Sequence, residues 1–539
     1  MKNIIRILFL LISAVAMAQP FTRMDSLKGS DTVFRDFWDV RKYELTVEVN
    51  ADRKFICGKN KISFEITKDI QNPVFQIDLQ QPMQFKPEDS DYTKFTFERD
   101  GDFIWVKSKK PYRKGDRDYF TLHYSGHPVI AKNAPWEGGW VFSEDKNRNP
   151  FISVAQESIG TSVWLPVKDI WNDEPDEGTI MQITTPKHLT GIGNGKLISK
   201  THEKDKNIFV WEVKNPINTY SIVPNIGNYV HIKDTFSGEK GILSLEYWVL
   251  SEHVELAKKQ FTQVKPMLEA FEYWFGPYPF YEDGFKMVEA PFLGMEHQSN
   301  IAYGNGYQNG YLGSDLSGTG IGLKWDFILV HESGHEWFGN SITAKDKADM
   351  WIHEAFTSYS ETLFTEHYLD KISAEKYLQG TRQNILNDSP IIGQYGVRNT
   401  GSTDMYFKGA SMLHTIRQIM DNDHKFRQML RKMNEEFYHK MVTSIEIEKF
   451  ISEFSGFDFS GVFEQYLRTT KIPVLEYSQK GNILEFRYSQ VIKNLNLPLK
   501  INGNQLIKPS ENWQSVTLES SKEVKFNPNY YVHYLKVNR

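Results

Sequence analysis

The chain has 539 residues, enough for two to four domains with a buried core and a deep cleft. Its hydrophobic content of 40% and aromatic content of 14% exclude a disordered or low-complexity chain. The 63 basic and 68 acidic residues are mixed along the sequence, so no concentrated positive field marks it as a nucleic-acid binder or a protein of anionic membrane surfaces.

The first segment, Met1-Lys-Asn-Ile-Ile-Arg6 followed by an apolar run from Ile7 to Val15 and Ala16-Met-Ala18, has the three regions of a signal peptide. Cleavage after Ala18 is expected. The apolar run is too short to span a bilayer and no later run is long enough, so the remainder is expected to be exported, periplasmic or extracellular, without membrane insertion. Cys57 is the only cysteine, which removes an intramolecular disulfide and any multi-cysteine metal site. Histidine and carboxylate are left as candidate ligands.

From residue 19 to 235, short alternating runs such as Tyr43–Val49, Lys61–Ile66 and Tyr119–Tyr124 are punctuated by Gly, Asn, Asp and Pro. This period-two pattern predicts a large antiparallel β domain. The pattern then changes to helical periodicity, first over His253 to Trp274 and again from Lys324 to Tyr466, which predicts a mainly helical domain over 236–471. Between these helical stretches lies a glycine-rich patch, Gly304–Gly313, read as a mobile loop near the site. Beyond Ile472 the alternation returns, and a small C-terminal β-sandwich is expected over 472–539. The fold class is therefore multidomain α+β. No internal repeat is visible.

The chemistry lies in the helical domain. His331, Glu332 and His335 form an H-E-x-x-H motif directly after the apolar run Phe327-Ile-Leu-Val330. Residues four apart stand one above the other on a helix face, so both imidazoles can reach one tetrahedral zinc ion. Glu332, beside them, is placed to take a proton from an activated water and pass it to a leaving amine. Glu354 follows in Trp351–Glu361, a second helical segment, as the third ligand. Glu361, two turns further along the same face, is a candidate to hold the second nitrogen of a ligand histidine. His353 would face about 100° away from Glu354 on that helix.

These motifs resemble the aminopeptidase N and leukotriene-A hydrolase family of gluzincin zinc peptidases. The resemblance implies one zinc ion and a thermolysin-like catalytic domain. Gly294-Met295-Glu296 is similar to the core of that family's G-x-M-E-N segment, with His297 in place of the asparagine. It implies that Glu296 binds the substrate's free α-amine, with Gly294 and Met295 on the same strand edge. The segment Val154–Pro166 resembles the family's β-domain contribution to the amine site. Aligned on Pro166 it places Glu157 there, while Gln156, one residue earlier, stays open as the contact. Met405–Met412 is similar to a Y-x-K-G-A segment and implies that Tyr406 stabilises the oxyanion. His297 is read as a structural histidine, or as an imidazole near the substrate whose titration would make activity more pH-dependent.

The resemblance implies an aminopeptidase acting on peptides with a free N-terminus, in an undetermined oligomeric state. A thermolysin-like endopeptidase, an epoxide hydrolase on the same zinc core, and a catalytically silent binding module are the alternatives. No large C-terminal helical domain of the family's kind follows residue 471, which implies a more open cleft.

Overall fold

The computed structural model describes residues 21–89 and 92–539, so the leader pattern of Met1–Ala18 lies outside the described residues. The β domain is built on a seven-stranded sheet. Its long strand Trp38–Asn50 buries Tyr43, Leu45, Val47 and Val49 and turns Glu44, Thr46 and Glu48 outward, the alternation that half-buried strands require. It pairs antiparallel with Phe55–Ile66, but its other neighbour, Thr179–Pro186, runs parallel to it. Alternation reports which face is buried and is silent on strand direction, so this one parallel pair in a largely antiparallel domain was not legible.

A second sheet of four strands contains Pro150–Ala155, whose last five residues are all buried. This strand leads directly into Gln156 and Glu157 and delivers them to the domain boundary.

The next layer is a five-stranded sheet that begins with Tyr229–Gly238 and Gly241–Leu250 and ends on the short edge strand Gly294–Met295. Helices pack beside it. Val264–Phe275 buries Met267, Leu268, Phe271 and Trp274, and the motif helix Phe327–Gly334 is buried throughout. The helix Trp351–Tyr368 is buried from Trp351 to Thr365. Gly334 lets these last two helices approach, since a Cβ there would come within 2.6 Å of Ser360 Oγ. No helix among the described residues is long and apolar enough to cross a membrane.

The glycine-rich patch is tied down rather than free. Asn305 donates to the carbonyls of Gln308 and Gly310 and to Asp326 Oδ1, and its own side-chain oxygen accepts from Leu312 N–H. Asp326 is the N-cap of the motif helix, so the patch braces the metal-binding turn.

The C-terminal strands form one four-stranded sheet and a separate two-stranded ribbon. Leu475, Leu484, Phe486 and Tyr488 join the same apolar cluster as Tyr466 and Leu467 of the helical domain, so the module shares its core with that domain.

Candidate active site

The motif helix starts at its Asp326 cap, whose carboxylate accepts Leu329 N–H at 3.1 Å, and ends at Gly334 with His335 as its C-cap in helical geometry. His331 Nε2 and His335 Nε2 lie 3.3 Å apart, and Glu354 Oε2 stands 3.5 and 3.4 Å from them. Three tetrahedral donors each about 2.1 Å from one ion stand about 3.4 Å from each other, so the triangle has the dimensions of a zinc site. Glu354 Oε2 is buried and has no hydrogen-bond partner among the described residues. The donor set and this orphaned oxygen fit a zinc ion.

Each imidazole is held through its other nitrogen. His331 Nδ1 pairs with Glu361 Oε1 at 2.7 Å, and Tyr377 donates to Glu361 Oε2 at 2.6 Å. His335 Nδ1 lies 3.0 Å from the Phe338 carbonyl oxygen and 3.1 Å from Thr357 Oγ1. These contacts aim both Nε2 lone pairs at the same point. Burial opposes charge on His335, but the carboxylates of Glu354 and Glu296 outweigh it and lift its pKa to about 9. A surround of carboxylates such as this suits a bound cation. His353 is elsewhere: its Nε2 accepts Ala344 N–H at 2.8 Å and its ring stacks on Trp171.

Glu332 and Glu296 each bring a carboxylate oxygen within 4.8 Å of a His335 ring nitrogen. Burial raises the pKa of Glu332, as a proton acceptor near neutral pH requires. Gly294 backs onto Glu332, where a Cβ would meet Oε1 at 2.9 Å. Met295 is buried in a small cluster with Ala155, Ala290, Phe292 and Ala302, which joins the two domains. Tyr406, the residue before the helix Phe407–Met420, donates to Glu354 Oε1 at 3.1 Å and lies tilted over His331. Burial, then the nearby charge of Glu354, keeps its phenol protonated.

The amine side is assembled from distant pieces. Glu296 is 4% exposed, and its Oε1 has no hydrogen-bond partner among the described residues. Burial raises its pKa to about 8. Asn340, from the end of the motif, donates to its main-chain oxygen at 2.8 Å. Gln156 donates to the carbonyls of Tyr220 and Ile222 and accepts Trp164 Nε1–H at 2.7 Å, so its amide is consumed in the β domain. Glu157 pairs with Lys347 at 2.9 Å through Oε1. Lys347, Asn340 and Tyr377 were not singled out in the sequence. All three act through contacts that no local spacing reports.

His297 is fully buried with both ring nitrogens unpartnered among the described residues, and burial pushes its pKa down to about 3. Its burial disfavours the charged form and accords with a structural histidine.

A β domain lies beside a helical domain, and the latter carries a two-histidine, one-carboxylate group able to hold a metal ion, with an adjoining glutamate. Residues 261–466 match the Peptidase family M1 domain. Relatives include Probable aminopeptidase 1 of Sulfurisphaera tokodaii, 21% identical over 430 residues that cover 75% of this chain and 51% of that protein. Aminopeptidase B of Mus musculus is 25% identical over 378 residues, covering 66% of this chain and 54% of that one. The chain thus spans about half the length of the curated relatives it matches. Among solved structures, an M1 zinc metallopeptidase mutant from Deinococcus radiodurans bound to a Tyr-Ser-Ala substrate shares the fold, with TM-score 0.67 and 17% identity over 83% of this chain and 98% of that one.

Proposed function

We propose that this protein is a zinc-dependent aminopeptidase that removes the N-terminal residue of peptides. The observation that carries the reading is the buried, unpartnered Glu296 Oε1 beside the His331–His335–Glu354 triangle. An uncompensated carboxylate in a low-dielectric pocket is costly unless its ligand brings the positive charge, and a free α-ammonium does so. The aminopeptidase names of the relatives support the same reading.

Zinc held by His331, His335 and Glu354 supplies Lewis-acid chemistry, polarising a carbonyl and acidifying water. The chain's own groups do the rest. Glu296 and Glu157 hold the ammonium, which places the first peptide carbonyl beside Glu332 and Tyr406. Glu332 accepts the proton of the attacking water and returns it to the peptide nitrogen as the carbon–nitrogen bond breaks. Tyr406 turns its hydroxyl from Glu354 to the oxygen that gains charge on the carbonyl. Glu361, locked by Tyr377, keeps His331 in the tautomer that presents Nε2.

The test compares aminoacyl amide reporters with their N-acetylated counterparts, with and without a chelator. Chelator-sensitive hydrolysis confined to the free amines is expected. Equal cleavage of the blocked compounds would make the protein an endopeptidase on the same zinc core.

A further inference from the structure

We propose that Lys347 is a positioning residue of the amine site, tying Glu157 of the β domain to the segment that carries Glu354 and so setting the spacing between ammonium anchor and reacting carbonyl. The proposal rests on the aminopeptidase reading above. Lys347 opens the single turn Lys347–Asp349, immediately before the helix Trp351–Tyr368 that bears Glu354. Its side chain is only 5% exposed, and its ammonium reaches across the domain boundary to donate to the Glu157 main-chain oxygen and, at 2.9 Å, to Oε1. The same ammonium lies 4.9 Å from the centre of the Trp171 ring.

Two contacts to one residue fix both the backbone and the carboxylate of Glu157, which a single surface ion pair does not. Arg398 repeats the device on the same loop, donating to the carbonyls of Ile159 at 3.2 Å and Asp169 at 3.0 Å and pairing with the Asp169 carboxylate at 2.9 Å. The loop that carries Glu157 is therefore held by two cations of the catalytic domain. An anchor that selects one bond at a chain end needs this rigidity, because a misplacement of about 1 Å costs on the order of a hundredfold in rate.

The pairing also makes the two amine anchors unequal. Lys347 offsets the charge of Glu157 and occupies one of its oxygens, whereas Glu296 Oε1 has no hydrogen-bond partner among the described residues. Lys347 thus acts on substrate only through Glu157.

The experiment is a double-mutant cycle on the full chain, with Lys347→Met, Glu157→Gln and the double variant, read as KM and kcat on a free-amine aminoacyl amide. Lys347→Met is expected to raise KM about tenfold with kcat within about twofold, since an anchor common to ground and transition state is loosened. Lys347→Arg should recover most of the loss, and Lys347→Met should add nothing in the Glu157→Gln background. Lys347→Gln, which keeps a donor to the Glu157 carbonyl, carries the same expectation if the methionine variant does not fold. Additive effects in the double variant, an unchanged KM, or a joint fall of kcat, bound zinc and Tm each overturn the proposal. If Glu157→Gln raises KM and Lys347→Met does not, Lys347 alone is removed. If wild type cleaves N-acetylated and free compounds alike, the aminopeptidase reading falls and the proposal falls with it.

Discussion

The metal side and the amine side of the cleft are built on different principles. All three metal ligands come from two neighbouring helices, and their geometry follows from helical repeat plus one close approach at Gly334. The amine side joins Glu157 from the β domain to Glu296 at a sheet edge, with Lys347 between the domains. Local periodicity can therefore specify a metal site, whereas substrate register depends on how two domains are set against each other.

That contrast can be broken most sharply at Glu332, which serves the metal side without being a ligand. Glu332→Gln is expected to retain zinc, measured by metal analysis, and to lower kcat by between about a hundredfold and ten-thousandfold. Near-normal turnover would move the proton transfer to another group. Tyr406→Phe should cost about a hundredfold to a thousandfold in kcat with little change in KM, because the hydroxyl is needed only when charge builds on the oxygen. A KM effect without a kcat effect would make Tyr406 part of the binding site instead.

A smaller effect is expected one layer out. Glu361→Ala frees His331 Nδ1 and leaves Tyr377 without its acceptor, and should weaken zinc by about 10- to 100-fold, measured by competition with a chromogenic chelator. Unaltered affinity would show that helix packing alone orients the imidazole.

The mildest test contrasts ligand and core histidines. Carboxylates lift His335, while burial first and then the charges of Arg417 and Arg382 depress His414 to about 3 from 6.5. A histidine whose folded pKa is depressed is protonated first in the unfolded chain, so its contribution is complete above about 6.5 and is lost as pH falls towards 3. His414→Gln should flatten the decline of Tm with pH in that window, measured by calorimetry. A decline of unchanged slope would assign the acid sensitivity to other groups.

That His331 and His335 share one helix face, and Glu354 and Glu361 another, was legible because residues four and seven apart on a helix lie on one face whatever else the chain does. The three-part division of the chain was legible from the switch between period two and helical period. Strand direction was not, nor was the sharing of one core by the helical domain and the C-terminal strands, because alternation marks a buried face without naming what covers it. The resemblance placed Glu157 at the amine site with Gln156 open beside it, and left His297 either titrating or structural. Only the tertiary structure shows the Gln156 amide taken up within the β domain and His297 buried where charge is unfavourable. Lys347 belongs wholly to the second category: only the docking of two domains brings its ammonium to Glu157, and no spacing along the chain encodes a contact between residues so far apart.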